Sequence, residues 1–128
     1  MIRFSLGALV LTCATTAALA GGFFVTFYSP VAPVARGIPD TALVVAAEGC
    51  HNPADAKLEG RAEGIIDGKR QSIALKLTPT SKPGVYAIKK QWPAEGNWVV
   101  SVTGAYLGRT TTRRVELLPG GEMKTLDR

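Results

Sequence analysis

Histidine and cysteine are nearly missing: one His and two Cys in 128 residues. So few thiols and imidazoles exclude a disulfide framework and a cysteine–histidine metal cluster. No C-x-x-C-H run occurs, which excludes covalently attached haem. There is no Ser/His/Asp order, no paired-carboxylate spacing and no phosphate-binding glycine loop, so the expectation is a non-enzymatic chain. Charge is missing from one long stretch, since no Asp, Glu, Lys or Arg lies between Arg3 and Arg36. Beyond residue 41 no helical periodicity appears. What remains is one small domain, 46% apolar and 20% charged, too apolar for intrinsic disorder.

The uncharged stretch sets the expected compartment. Arg3 opens a short apolar core, and Ala18-Leu19-Ala20 has the A-x-A form of a signal-peptidase site. Residues 1–20 therefore read as a signal peptide forming an apolar helix, with the cut before Gly21. Removing them takes away Arg3 alone and leaves 14 cations against 10 carboxylates, net +4. The alternative is an uncleaved membrane anchor over residues 4–28, with Phe23, Phe24, Phe27 and Tyr28 as an interfacial aromatic belt. Thr12 before Cys13 makes a poor lipobox. Both readings put the rest of the chain in the periplasm or outside the cell. Residues 29–40, with three Pro, read as an extended linker.

Residues 41–118 carry strand signals. Ala42–Ala47 is a continuous apolar run, the mark of a strand buried on both faces. Lys57–Ile66 alternates: Lys57, Glu59, Arg61 and Glu63 face outward, and Leu58, Gly60, Ala62, Gly64 and Ile66 inward. The small inward residues imply close approach by the indole of Trp92 or Trp98. Asp67-Gly68 is a hairpin signal, and Ile73, Leu75 and Leu77 mark a return strand. Val85–Trp92, Trp98–Gly104 and Thr110–Leu118 complete six strands. A seventh forms if Phe23–Tyr28 pairs at an edge. The expected fold is all-β, a small antiparallel immunoglobulin-like sandwich of six to seven strands, with residues 119–128 as a loose tail.

Pro83-Gly84-Val85-Tyr86, a strand, and then Pro93-Ala94-Glu95-Gly96-Asn97-Trp98-Val99-Val100 resemble bacterial exported immunoglobulin-like domains of the YtkA and FixH type. The similar stretch runs from Pro83 to Val102 and describes two neighbouring strands and their turn. The resemblance implies a sandwich and an N-terminal leader or anchor, and some such domains serve copper delivery or respiratory-complex assembly. The Met- and His-rich segments of copper carriers are absent here.

Three sets of residues are candidates for contact. Cys50 and His51 are adjacent, and with Met123 they could ligate Cu(I) if they lie in a turn. The thiol and imidazole could also form a redox pair, although an isolated Cys is most often a small packed apolar group. Lys69-Arg70, Lys89-Lys90 and Arg113-Arg114 are basic doublets whose members should sit on opposite faces of a strand. Trp92, Trp98 and Tyr86 read chiefly as core anchors. An exposed face of Trp92 beside Lys89 and Lys90 is the candidate partner contact. The expected role is a binding or scaffolding domain accessory to an envelope protein complex, without nucleic acid and without a resident cofactor. The alternatives are a periplasmic copper or redox carrier and an adhesion or carbohydrate-binding module.

Overall fold

A computed structural model describes residues 22–118 and 121–126. The fold is all-β, with nine strands: β1 (Phe24–Tyr28), β2 (Thr41–Glu48), β3 (Lys57–Ile66), β4 (Lys69–Leu75), β5 (Leu77–Pro79), β6 (Val85–Lys89), β7 (Trp98–Tyr106), β8 (Arg109–Leu117) and β9 (Met123–Leu126). They form an antiparallel four-stranded sheet in the order β1-β2-β6-β5 and a five-stranded sheet in the order β4-β3-β7-β8-β9. Val25, Leu43, Val45 and Ile88 from the first meet Ala62, Trp98, Val100, Val102 and Val115 from the second in one core. Apolar side chains at every second position of paired strands bring the two sheets face to face.

The continuous apolar run of β2 has a cause on each side. Leu43 and Val45 point into the core, whereas Val44 and Ala46 point outward and pack with Val85 against Ala32, Val34 and Ala35. Residues 29–40 are thus not a linker: Pro33–Ala35 is a 3₁₀ turn strapped across the outer face of the four-stranded sheet. Pro33 fixes its own φ at the first helical position, and the Ala35 N–H donates to the Ala32 carbonyl at 2.9 Å. The short apolar side chains around it complete the seal.

Phe24–Tyr28, expected either as the end of an anchor or as an edge strand, is an edge strand paired with β2. The signal-peptide helix of residues 1–20 and most of the anchor of residues 4–28 lie outside the described residues. No helix among the described residues is long and apolar enough to cross a membrane.

The alternation of β3 is as expected, with Gly60, Ala62 and Gly64 buried and Lys57, Glu59, Arg61 and Glu63 exposed. Its glycines make room for rings. A Cβ on Gly64 would lie 2.6–2.9 Å from the indole carbons of Trp98, its register partner on β7. A large planar ring therefore lies flat on bare backbone. The Trp98 Nε1–H donates to the Glu95 carbonyl at 2.8 Å, so the buried indole has its polar atom satisfied.

The return strand does not run straight. Ile73, Leu75 and Leu77 keep one alternation, but β4 pairs with β3 in one sheet while β5 pairs with β6 in the other. The chain changes sheets at Lys76. There the Gln91 side chain stands in for a strand neighbour: Lys76 N–H donates to Oε1 at 2.8 Å, and Nε2 donates to the Lys76 and Lys89 carbonyls, both at 3.0 Å. Gln91→Ala strips these groups and should lower stability by about 1–3 kcal/mol, read by guanidinium unfolding. A change below a few tenths of a kcal/mol would show that water replaces the amide at no cost.

Within the expected loose tail of residues 119–128, of which 121–126 are described, Met123–Leu126 is a strand paired with β8, from Leu117↔Met123 to Arg114↔Leu126. A turn in which Gly121 N–H donates to the Leu118 carbonyl at 2.8 Å reverses the chain. Met123 packs against the core from this strand.

Candidate functional site

The three candidate copper ligands do not come together. Cys50 follows the end of β2 that pairs with Phe24, and the adjoining loop is tied by Asn52 N–H to the Tyr106 hydroxyl at 3.1 Å, at the far end of β7. Met123 pairs with Leu117, itself opposite Trp98 at the start of β7. Cys50 and Met123 therefore sit at opposite ends of the sandwich. His51 is exposed and Cys50 half-buried. Among the described residues no three His, Cys, Asp or Glu side chains group to hold a metal.

Cys50 lies in a groove of about 600 Å³ between the strap and the loop before β6, beside Ala32, Val34, Pro53 and Val85. Burial pushes its thiol pKa up, so the thiol form dominates at neutral pH. A raised pKa keeps the thiolate, the nucleophilic form, scarce at neutral pH. Alkylation of Cys50 by iodoacetamide should be slower than that of a free thiol at pH 7 and rise only at alkaline pH. Fast labelling at pH 7 would contradict this. The sign for stability follows: a folded-state pKa above the unfolded one contributes stability at low pH that is lost as pH rises through the thiol range.

Trp92, a candidate partner contact in the sequence, is 8% exposed and packs in the core with Trp98. The chain turns inward there because β6 ends at Lys89 and the Lys90 N–H donates to the Asp40 carbonyl at 3.2 Å. Lys90 is exposed and borders a hollow of about 550 Å³ with Asp40 and the edges of Trp92 and Trp98. Lys89 is half-buried opposite Thr41 and does not line that hollow.

The outer face of the five-stranded sheet is open and polar. Register places its side chains in rows. One row runs Ser72, Glu63, Val99, Glu116 and Lys124, and the next runs Ala74, Arg61, Ser101, Arg114 and Leu126. Arg70 stands opposite Ile65 beyond the first row. Lys57 and Glu59 extend the face at its other end, giving five cations and three carboxylates. The Arg61 guanidinium lies along the sheet, donating through Nε and Nη2 to the Ser72 hydroxyl at 3.1 and 2.8 Å. Thr103 and Thr112 share a hydroxyl hydrogen bond at 2.8 Å across β7 and β8.

Within this face Glu63, Ile65, Arg70, Val99, Ser101 and Arg114 border a hollow of about 480 Å³. Ile65 is 60% exposed at its rim. Guanidinium groups, a carboxylate, a hydroxyl and aliphatic carbon are thus within reach of a single partner surface. The Arg113-Arg114 doublet divides as the strand period requires: Arg114 stands on this outer face and Arg113, opposite Val102, on the core side and half-buried. Sequence reading took the Lys57–Glu63 alternation as a solvated strand face and did not gather Arg70, Ser101 and Arg114 beside it. They lie on separate strands, and only the pairing register joins them.

No family model, no curated protein and no solved structure matches this chain.

Proposed function

We propose that the chain is a non-enzymatic exported or membrane-anchored binding domain, accessory to an envelope protein complex, and that it engages its partner through the outer face of the five-stranded sheet. One observation carries the reading. The chain spends residues 32–35 covering the outer face of one sheet, while the equivalent face of the other carries Ile65, 60% exposed, among charges of both signs. A surface of interspersed charge with exposed aliphatic carbon at its rim suits a protein partner of complementary charge. The address rests on Arg3, the apolar run and Ala18-Leu19-Ala20.

An immunoglobulin-like assignment belongs to the same proposal. The four-stranded sheet follows the A-B-E-D order of such domains, and β3, β7 and β8 take the places of C, F and G. β4 and β9 flank that second sheet. The kinship with YtkA- and FixH-type domains is supported by this order and by the Pro83–Val102 stretch alone.

Charge reversal tests the face. Arg70→Glu with Arg114→Glu should reduce recovery of the partner from envelope extracts about tenfold or more, since like charges across an interface cost several kcal/mol. Thermal unfolding should hardly change, because neither side chain is buried. Unchanged recovery by the double variant would remove the face from the account.

A further inference from the structure

Among the described residues four strands end the two sheets: β1 and β5 on one, β4 and β9 on the other. An edge strand offers a row of backbone donors and acceptors, and proteins blunt such edges with charge, proline or brevity. β4 carries Lys69 and Arg70, β5 has three residues and ends on Pro79, and β9 has four residues with Lys124 among them. β1 has none of these guards. Its five residues, Phe24-Val25-Thr26-Phe27-Tyr28, hold no charge and no proline, and three are aromatic. Phe24 and Tyr28 remain 43% and 41% exposed.

The strand is also close to symmetric about Thr26. If two copies pair antiparallel with Thr26 opposite Thr26, Phe24 of each faces Tyr28 of the other on the outer side of the sheet. Val25 of each then faces Phe27 of the other on the core side. Aromatic pairs and aromatic–β-branched pairs are the cross-strand combinations that favour strand association. The Phe24–Tyr28 and Val25–Phe27 contacts each occur twice about an axis through Thr26, so the arrangement closes as a two-fold dimer without leaving a free copy of the edge. The outer side chains are already held in place: Tyr28 Oη–H and Thr26 Oγ1–H both donate to the Glu48 carboxylate on β2. That hydrogen bond and the Glu48 charge raise the Tyr28 pKa, which keeps the phenol protonated as the donor.

We propose that β1 is a self-association strand, through which two copies of this chain join edge to edge and merge their four-stranded sheets into one of eight strands. The contact leaves the outer face of the five-stranded sheet uncovered, so it stands independently of the binding reading.

The test uses the full chain with Cys13→Ala and Cys50→Ala. Single cysteines go to β1 as Thr26→Cys and to the opposite sheet's edge as Lys124→Cys. A short bis-maleimide should link Thr26→Cys into a dimer at least about tenfold faster than Lys124→Cys, because pairing holds the two thiols at high effective concentration. Sedimentation equilibrium of the unsubstituted chain should show a mass that doubles with concentration. Thr26→Lys should return the monomer, still unfold cooperatively, and lose any dependence of Tm on protein concentration. Should that variant fail to fold, the linking rates and the concentration-dependent mass decide alone. A monomer at every concentration, equal linking at both edges, or a dimer that survives in folded Thr26→Lys would each overturn the proposal.

Discussion

Trp98→Ala should cost about 3–5 kcal/mol, the range for emptying a buried aromatic position. For a domain of this size that lowers Tm by roughly 15–30 °C. The reason lies in how much the indole joins. Trp98 is 2% exposed, lies on the Gly64 backbone of β3, and stands opposite Leu117 on β8. Its Nε1–H also fixes the Pro93–Gly96 turn through the Glu95 carbonyl. Trp98→Phe keeps the ring face and loses that hydrogen bond, so its cost should fall to about half or less. Far-UV circular dichroism is the suitable probe, since fluorescence changes with the substitution itself. A loss under about 1 kcal/mol for Trp98→Ala would show that the core closes around the gap.

The second large effect comes from adding a single carbon. Gly64→Ala places a Cβ 2.6–2.9 Å from three atoms of a rigid ring. The expected penalty is about 2–3 kcal/mol, at the upper end for overpacking one methyl group. The two substitutions should not add. With Trp98→Ala already in place, Gly64→Ala fills vacated space and should cost close to nothing, a coupling of about 2 kcal/mol in a double-mutant cycle. Additive losses would mean that the glycine is needed for backbone reasons unrelated to the ring.

This glycine–indole contact was legible in the sequence. Small residues at alternate positions of a charged strand imply a large neighbour, and Trp98 was one of two candidates. The Asp67-Gly68 hairpin was legible too: Asp67 and Gly68 both take positive φ, 50° and 74°, and Ile66 pairs with Lys69. The sheet change at Lys76 was not. Ile73, Leu75 and Leu77 keep one period through it, and a period of two reports which face is buried but not which sheet it belongs to. The strap over Val44 and Ala46 was hidden for a related reason, because proline-rich composition gives local stiffness and not a destination. β9 is short and carries little pattern, and its place depends on the turn at Gly121.

The candidate site shows the same limit in sharper form. Cys50 and His51 attracted notice by their rarity, but Met123 lies at the other end of the fold. Arg70 and Arg114 stood out in sequence only as members of basic doublets, and they become neighbours of Arg61 and Ser101 only through three strand registers.

Site-specific photocrosslinking tests the central claim most directly. A photoreactive side chain at Ser101, in the middle row of the five-stranded sheet, is compared with one at Leu107, 83% exposed at the β7–β8 turn. In intact cells the account predicts one discrete adduct from Ser101, its loss on adding Arg114→Glu, and none of the same mass from Leu107. Equal labelling from both positions, or a Ser101 adduct indifferent to Arg114→Glu, would contradict it.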